Sequence, residues 1–374
     1  MTSKTNNKIH IMQVLHSLEI GGAEKLAYDI CENLGESFMT SFFCLDSLGF
    51  LSELIKKKGG AVYCFDRKEG LDFDLIKKFA RILDEQKIDI LHAHQYTPYF
   101  YSVLASVRAK RKVKVIFTEH GRHQPDKVRW KRVIFNKIFQ PFTHKYTGVA
   151  KFSKDSMVKF EKIPARRIDV IYNGIDLKRF AKKYDKPSIR KQLGFLPEDK
   201  LAGIIARLDP IKDHKSLIKS ISLLKNKHVK LLIVGDGPIR SELERQVEDL
   251  NLKNRVIFLG MRTDVPDLLM ALDIFILPSI MEATSVTLLE AMSASLPVVA
   301  TRVGGNREIV IENETGVLVP AQTPEKLADA IDLIIADKKL ARSMGTAGRK
   351  RVEDFFTFDK MMRQYKKIYT ELMK

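Results

Sequence analysis

The chain has 374 residues, 45% of them apolar, and at roughly 150 residues per domain this length predicts two globular domains. Its 64 Lys and Arg residues against 46 Asp and Glu give a formal net charge of +18. A surface this basic attracts nucleic acid, anionic lipid or acidic small molecules without selecting among them, and disorder is excluded by the apolar content.

The amino-terminal segment, the hydropathy and the cysteines bear on location. The first apolar run is short and interrupted, so we expect no cleaved signal peptide. No stretch of about eighteen apolar residues predicts a membrane-spanning helix. Cys31, Cys44 and Cys64 are odd in number and lack CxxC spacing, which argues against a disulfide framework and a zinc site. We expect a cytoplasmic protein with reduced thiols.

Short β-branched runs alternate with amphipathic helical stretches along the chain, which predicts parallel sheets with crossover helices. The charged segment KRFAKKYDKPS, residues 178–188, lacks apolar periodicity and reads as a linker between two doubly wound domains. The predicted strands are IHIMQVLH, FFCL, AVYCF, DILHAH, VKVIFTEH, KYTGVA and DVIYNGID before the linker, and KLAGIIARL, VKLLIVGDG, RVIFLG, DIFILP, LPVVATR and GVLVP after it.

Two glycine pairs each follow a predicted strand and precede a predicted helix. They are Gly21-Gly22 and Gly304-Gly305. Glycine lets the backbone approach a ligand closely, and the free amides of a helix N-terminus attract anions. An ordinary tight turn is the alternative for either pair. Two such turns in separate domains favour a phosphate ligand.

Basic side chains and a further glycine pair follow two strands of the second half. Arg207 and Lys212, in IIARLDPIKDH, are placed to neutralise a departing diphosphate, with a solvated loop as the alternative. Gly235 and Gly237 in VGDGP suggest a dinucleotide site, and hence an NAD-dependent oxidoreductase. Arg240 stands where that fingerprint has its third glycine, so the full pattern is missing.

Two glutamates lie eight positions apart across a predicted strand end and helix. Glu282 falls on the loop after DIFILPS, and Glu290 lies inside the helix TSVTLLEAMSA. A carboxylate on an apolar helix face is costly to bury unless it accepts hydrogen bonds, which a pair of ribose hydroxyls would supply. The alternatives are a solvated loop acid with a partly exposed helix residue, or the acid and base pair of a glycoside hydrolase.

Glu282 and Glu290, with AMSASLPVVATRVGGNREIV following, resemble the signature of the retaining glycosyltransferases of family 4. The resemblance implies an α/β chain of GT-B fold, in which two Rossmann-like, doubly wound parallel-sheet domains face a central cleft. It implies an acceptor-side domain over 1–180, a nucleotide-sugar domain over 181–355 and a helix over 356–374 that crosses back onto the first domain. The motifs that share the family's order and spacing are GGAE at 21–24, LHAHQ at 91–95, TEHG at 118–121, NGID at 173–176, ARLDPIKDH at 206–214 and VGDGP at 234–238.

The resemblance also assigns roles to residues. It implies that Glu290 binds the ribose of a nucleotide sugar and Glu282 the hydroxyls of the transferred sugar. Arg207 and Lys212 would hold the diphosphate, and His120 would approach the donor sugar from the N-terminal domain. The family usually has glycine after its first glutamate, and Ala283 here is expected to narrow or redirect donor choice. The remaining donor-binding positions implied are Gly21, Gly22, Thr284, Ser285, Val286, Gly304 and Gly305.

The resemblance implies that transfer is retaining and uses no catalytic carboxylate nucleophile. It also implies a hexosyl- or N-acetylhexosaminyltransferase with a UDP-linked donor, and we expect neither metal nor cofactor. Asp72-Phe73-Asp74 is formally a DxD metal motif, but we read it as a helix start whose acids complement the helix dipole. His92 and His94 share a strand, and we expect them on opposite faces, where they could not ligate one ion.

The segment KVRWKRVIFNKIFQPF, residues 127–142, interleaves cations with apolar and aromatic side chains. It predicts a helix lying in an anionic membrane surface at the inner face of the membrane, with a core-packed helix as the alternative. Arg122, His123 and His94 are the acceptor-side candidates, and the acceptor expected is a saccharide, lipid-linked or on the cell surface. We expect no nucleic-acid partner. A non-catalytic, transferase-like binding subunit remains the main alternative.

Overall fold

Two parallel β-sheets organise the chain in the computed structural model, which describes residues 8–19, 21–121, 127–181 and 185–374. The first unit is formed by Met1–Asn173 with Met361–Lys374, and the second by Gly174–Lys360. The boundaries fall a few residues from those anticipated after 180 and 355. The reason is that Ile175 forms a parallel bridge with Thr357, which keeps the segment after Asn173 in the second unit.

The sheet of the first unit has seven strands among the described residues, all parallel. They are β1 (Ile9–Leu15), β2 (Phe38–Cys44), β3 (Ala61–Cys64), β4 (Ile90–His94), β5 (Lys114–Glu119), β6 (Lys145–Gly148) and β7 (Ile168–Val170). Their order is β3-β2-β1-β4-β5-β6-β7, so the strand order reverses between β1 and β4. Ile11 pairs with Thr40 on one side and with Ile90 on the other.

The helices of the first unit follow from apolar side chains at helical spacing. In the third helix Leu75, Phe79 and Leu83 are buried against the sheet. Asp72 caps that helix by accepting a hydrogen bond from the backbone N–H of Leu75 at 2.9 Å, which confirms the predicted helix start. The helices are α1 (Gly22–Asn33), α2 (Phe50–Lys57), α3 (Phe73–Glu85), α4 (Tyr96–Arg108), α5 (Trp130–Phe139) and α6 (Lys151–Glu161), with 3₁₀ turns at Gln140–Phe142 and Ala165–Arg167.

The second unit repeats this plan with six parallel strands among the described residues. They are β8 (Lys200–Ile205), β9 (Val229–Val234), β10 (Val256–Gly260), β11 (Ile274–Leu277), β12 (Val298–Thr301) and β13 (Gly316–Val319). Their order is β10-β9-β8-β11-β12-β13, and it reverses between β8 and β11. Strands such as β8 and β11 are buried along nearly their whole length, because helices cover both faces of the sheet.

The remaining helices surround the second sheet and return the chain to the first unit. The last helix begins in the second unit and ends in the first, where Tyr365 and Tyr369 are buried. The helices are α7 (Lys186–Gln192), α8 (His214–Leu223), α9 (Arg240–Asp249), α10 (Val265–Ala271), α11 (Val286–Ser293), α12 (Asn306–Ile309), α13 (Pro324–Ala336), α14 (Lys338–Phe355) and α15 (Phe358–Leu372), with 3₁₀ turns at Leu177–Phe180 and Pro210–Lys212.

The predicted alternation of strands and helices is confirmed in both units. Within the described ranges we find no helix whose length and apolar content would let it span a bilayer.

Candidate functional site

The candidate donor residues of the second unit collect where its strand order reverses. Arg207 and Lys212 follow β8, Glu282 follows β11, and Gly304-Gly305 follow β12. These strands are neighbours, and the carboxyl ends of parallel strands share one edge of the sheet. In doubly wound sheets this edge, beside the reversal, is where ligands bind.

Glu282 is the best-defined side chain of this edge. It is buried, and its Oε1 accepts hydrogen bonds from Lys212 Nζ at 2.6 Å and from the Ser279 hydroxyl at 2.7 Å. Ser279 is fully buried, and Thr301 donates to its carbonyl at 2.5 Å. The carboxylate is therefore charge-paired and fixed in place before any ligand arrives.

The glycine pair after β12 is shaped around the backbone of Glu282. Gly305 N donates to the Glu282 carbonyl at 3.1 Å. Gly304 has a φ of +46°, and a Cβ there would lie 1.7 Å from that same oxygen. Only glycine fits at position 304, because both the backbone conformation and the close approach exclude a side chain. The pair thus fixes the loop that carries Glu282.

Lys212 and Arg207 lie on a turn stabilised by Asp209. Asp209 accepts from the backbone N–H of Ile211 at 3.1 Å and pairs with Arg207 Nη2 at 2.6 Å. The side chain of Arg207 is 68% exposed, whereas that of Lys212 is 25% exposed. Lys212 is therefore held at the carboxylate, while Arg207 remains accessible to an anionic ligand.

The VGDGP glycines have a packing role that explains their spacing. A Cβ on Gly235, whose φ is +134°, would lie 2.1 Å from the Ala206 carbonyl oxygen, and one on Gly237 would lie 2.3 Å from that of Leu208. Both glycines let this loop approach the loop that carries Arg207. Their presence therefore does not require a dinucleotide ligand.

Glu290 lies on α11, a short helix whose start is capped by Ser285, since the Ser285 hydroxyl accepts from Leu288 N at 3.2 Å. Its side chain is only 10% exposed, and Oε1 accepts from Arg179 Nη1 at 2.8 Å. Arg179 belongs to the stretch that the sequence suggested was a linker. Thr284 and Val286 flank the cap and are partly exposed.

In the first unit, Gly21 caps α1 and Gly22 is its first residue. A Cβ on Gly22 would meet no atom within 4 Å, so the backbone is open to approach there. A Cβ on Gly21 would lie 2.3 Å from a carboxylate oxygen of Glu24. Burial raises the pKa of the Glu24 carboxyl beside this helix start.

Three histidines of the first unit form a polar cluster. His94 Nδ1 lies 2.8 Å from His120 Nε2, and His94 Nε2 lies 2.7 Å from Gln13 Oε1. Because an amide oxygen only accepts, His94 carries its proton on Nε2, and His120 donates to His94 from its own Nε2. His92 bonds to the Tyr369 hydroxyl on α15 at 2.7 Å and to Thr118 at 2.6 Å.

Burial keeps this cluster uncharged near neutrality. It lowers the pKa of His120 to about 4 and that of His92 to about 3, and it holds the pKa of His94 well below its usual value, with the neighbouring histidines adding to the effect on His92 and His94. A neutral His120 can exchange hydrogen bonds with a sugar hydroxyl without adding charge.

Two sequence-based interpretations need correction. His92 and His94 do not lie on opposite faces, because residues two apart on a strand share a face, and their ring centroids are 4.3 Å apart. His94 is 1% exposed with both ring nitrogens bonded, so it supports His120 instead of contacting an acceptor. Arg122 and His123 lie outside the described residues.

Sequence reasoning missed Arg179, Ser279 and Gln13. Gln13 offered a signal, being a polar residue inside an otherwise apolar strand, and Ser279 directly follows the strand end before Glu282.

Among the residues that the structure describes, no three His, Cys, Asp or Glu side chains are arranged so that they could hold a metal ion.

Comparison with known proteins bears on the class that this fold defines. Residues 20–179 match the family described as Glycosyltransferase Family 4, and residues 185–351 match Glycosyl transferases group 1. A lipopolysaccharide core biosynthesis mannosyltransferase, LpsB of Rhizobium meliloti, is 32% identical over 65% of this chain and 73% of its own. An Escherichia coli UDP-Gal:α-D-GlcNAc-diphosphoundecaprenol α-1,3-galactosyltransferase is 25% identical over 99% of this chain and 98% of its own.

The fold comparison agrees. The crystal structure of Anabaena Alr3699/HepE in complex with UDP has a TM-score of 0.87 at 24% identity, over 97% of this chain and all of that one. The expected GT-B fold, two parallel-sheet α/β domains, is thereby confirmed. The chain belongs to the family 4 glycosyltransferases, and it is a glycosyltransferase.

Proposed function

We propose that this glycosyltransferase is retaining and metal-independent, and that it moves a hexosyl or N-acetylhexosaminyl group from a UDP-sugar to a saccharide acceptor, lipid-linked or on the cell surface. The observation that carries the proposal is the Lys212–Glu282 pair at the strand reversal, 2.6 Å apart and mostly buried. The UDP donor is supported by the E. coli relative, named for UDP-Gal, and by the UDP complex of the Anabaena protein. The lipid-linked acceptor is supported by the diphosphoundecaprenol in the former name.

The proposed reaction exchanges one bond for another on the same face of the sugar. The bond from the anomeric carbon to the β-phosphate oxygen breaks, and its electron pair leaves with the diphosphate. The acceptor hydroxyl oxygen bonds to that carbon, and its proton passes to the departing phosphate oxygen. Arg207 and Lys212 stabilise the charge that develops on the diphosphate, the work that a metal ion does elsewhere.

Glu282 binds the transferred sugar in this scheme. Its Oε1 is already held by Lys212 and Ser279, and a carboxylate so paired is a weak nucleophile. This supports a role as hydroxyl acceptor and electrostatic stabiliser, in contrast to the nucleophile of a retaining glycosidase. Glu290 accepts hydrogen bonds from the ribose hydroxyls, and the backbone amides near Gly305 donate hydrogen bonds to the diphosphate. In the first unit, His120 and the backbone amides at Gly21 and Gly22 stay the predicted donor-contact positions.

The direct test is transfer with UDP-, GDP-, CDP- and ADP-sugars in EDTA, using extracted lipid-linked saccharides as acceptors. Release of UDP, and a product with the donor's anomeric configuration by NMR, would support the proposal. Turnover that requires added Mn²⁺, or an inverted product, would contradict its metal-independent or retaining part. No turnover with any donor would favour the non-catalytic binding subunit.

We further propose that the protein is cytoplasmic and that α5, with its flanks over 127–142, places it on the anionic inner face of a membrane. The helix buries only Asn136 and Phe139. The apolar side chains exposed along this segment are Val128, Trp130, Ile134, Phe135, Ile138 and Phe142, among them Trp130 at 68% and Ile134 at 59%. The exposed cations beside them are Lys127, Arg129, Lys131 and Lys137.

This arrangement differs from the core-packed alternative, in which the apolar stripe would be covered. Apolar side chains that enter the interface gain burial, while each neighbouring cation adds about 1 kcal/mol on an anionic surface. Charge complementarity therefore selects anionic lipid as the occupant.

Replacing Trp130, Ile134 and Ile138 with serine should abolish sedimentation with phosphatidylglycerol-containing vesicles. The wild type should bind these and leave pure phosphatidylcholine vesicles unbound. The matched control replaces Phe73 and Met261, which are exposed apolar side chains elsewhere, at 65% and 74%. Equal binding by the helix variant and the control variant would refute the membrane proposal.

A further inference from the structure

Arg179 is held on a rigid base, although the sequence around it reads as a linker. The 3₁₀ turn Leu177–Phe180 is capped by Asp176, whose side chain accepts from Lys178 N at 3.0 Å, and Phe180 is buried beneath it. Just before the turn, Ile175 exchanges backbone hydrogen bonds with the segment 356–358 at 2.8 and 3.0 Å.

The neighbouring Gly174 shows how close these two segments lie. A Cβ on Gly174 would stand 2.5 Å from the Thr357 carbonyl oxygen. The fold of the second unit therefore fixes the backbone that carries Arg179, and this restricts where its guanidinium can lie.

The guanidinium of Arg179 contacts the carboxylate of Glu290. Arg179 Nη1 donates a hydrogen bond to Glu290 Oε1 at 2.8 Å, and the side chain of Arg179 is 45% exposed whereas that of Glu290 is 10% exposed. A carboxylate this buried requires a cationic or hydrogen-bonding partner. The planar guanidinium also restricts the rotation of the carboxylate, since its N–H groups have fixed directions.

We infer that Arg179 is a positioning residue for the nucleotide. It holds the Glu290 carboxylate charged and oriented, so that the ribose hydroxyls donate their hydrogen bonds to a carboxylate that does not have to move. The inference rests on the proposed role of Glu290. Hydrogen bonds to a charged acceptor are about twice as strong as neutral ones, and preorganisation lowers the entropic cost of forming them.

The test measures dissociation constants of UDP and of 2′,3′-dideoxyuridine diphosphate for the full chain by calorimetry. Arg179→Met is expected to weaken UDP about tenfold, as the loss of an aligned charge-assisted bond would. Arg179→Lys, which keeps the charge, should recover part of this loss. The dideoxy ligand should bind the wild type and Arg179→Met alike, because it lacks the hydroxyls that Glu290 receives.

Two control variants, Glu290→Ala and Arg262→Met, make the outcomes distinct. In a Glu290→Ala background, Arg179→Met should have no further effect on UDP. Arg262→Met, which removes an exposed arginine paired with Asp264 at 2.6 Å, should leave affinity unchanged. If Glu290→Ala binds UDP normally, the proposed ribose site itself fails. If Glu290→Ala loses UDP while Arg179→Met does not, or if Arg179→Met weakens the dideoxy ligand equally, only the positioning inference is overturned.

Discussion

Replacing Lys212 with methionine is expected to lower kcat/KM by about a hundredfold to a thousandfold, the loss typical of removing one preorganised charge stabiliser. Methionine preserves most of the volume of the lysine stem and removes only the ammonium group. The substitution would remove one of the two cations proposed to stabilise the departing diphosphate, and it would leave Glu282 Oε1 without the hydrogen bond from Lys212 while the one from Ser279 stays. Steady-state kinetics with the nucleotide sugar that gives turnover in the transfer assay would measure the change.

The loss of activity must be separated from a general loss of stability, since breaking a buried ion pair by removing one partner costs about 3 to 5 kcal/mol. Lys230 offers a matched control. It pairs with Asp199 at 2.8 Å, with side chains 27% and 9% exposed, against 25% and 8% for Lys212 and Glu282. Lys230→Met should lower the unfolding temperature similarly and keep kcat/KM. A parallel fall in activity for both variants would mean that Lys212 acts only through stability.

Acidification from about pH 7 to about pH 5 is expected to destabilise the protein strongly, by about 2 kcal/mol for each buried histidine whose pKa falls near 4 on folding. In the unfolded state such a histidine takes up a proton once the pH falls below 6.5, its ordinary pKa, whereas in the folded state it stays neutral until the pH nears 4. Its burial therefore costs no stability well above pH 6.5, and the free energy of unfolding decreases as the pH falls from 6.5 toward 4. His92, His94 and His120 contribute in the first unit, and His214 in the second.

His214 allows this effect to be isolated. It is fully buried at the start of α8, and burial, reinforced by Lys212, lowers its pKa to about 4. His214→Leu should therefore lose less stability than the wild type between the two pH values, by about 2 kcal/mol, as followed by hydrogen exchange of second-unit peptides. The exposed His228→Leu should behave as the wild type. An unchanged pH dependence in His214→Leu would contradict the explanation.

The fold was predictable because it is encoded in local patterns. Buried β-branched runs and amphipathic stretches alternate without long interruptions, so period and length are enough to indicate parallel sheets with crossover helices. The strand-end positions of Arg207, Lys212 and Glu282 were predictable for the same reason, since each follows an apolar run directly. That Lys212 pairs with Glu282 was not, because 70 residues separate them and only the strand order brings them together.

Long-range contacts account for the remaining differences. Arg179 lies in a charged stretch with no apolar period, and its partner Glu290 is 111 residues away. The packing of Gly235 and Gly237 against the loop after β8 also depends on tertiary structure, so their spacing alone suggested a dinucleotide site. The opposite-face interpretation of His92 and His94 was wrong for a simpler reason, because the strand period of two places both on one face.

Thermal unfolding in EDTA against UDP, GDP, CDP, ADP and NAD would show whether the second unit binds a uridine nucleotide through Glu290 without a metal. A ligand at a hundred times its dissociation constant adds about 2.7 kcal/mol, which corresponds to a shift of several degrees. We predict that UDP stabilises the wild type and has no effect on Glu290→Ala. Stabilisation by NAD alone, or equal stabilisation of both proteins by UDP, would contradict the account.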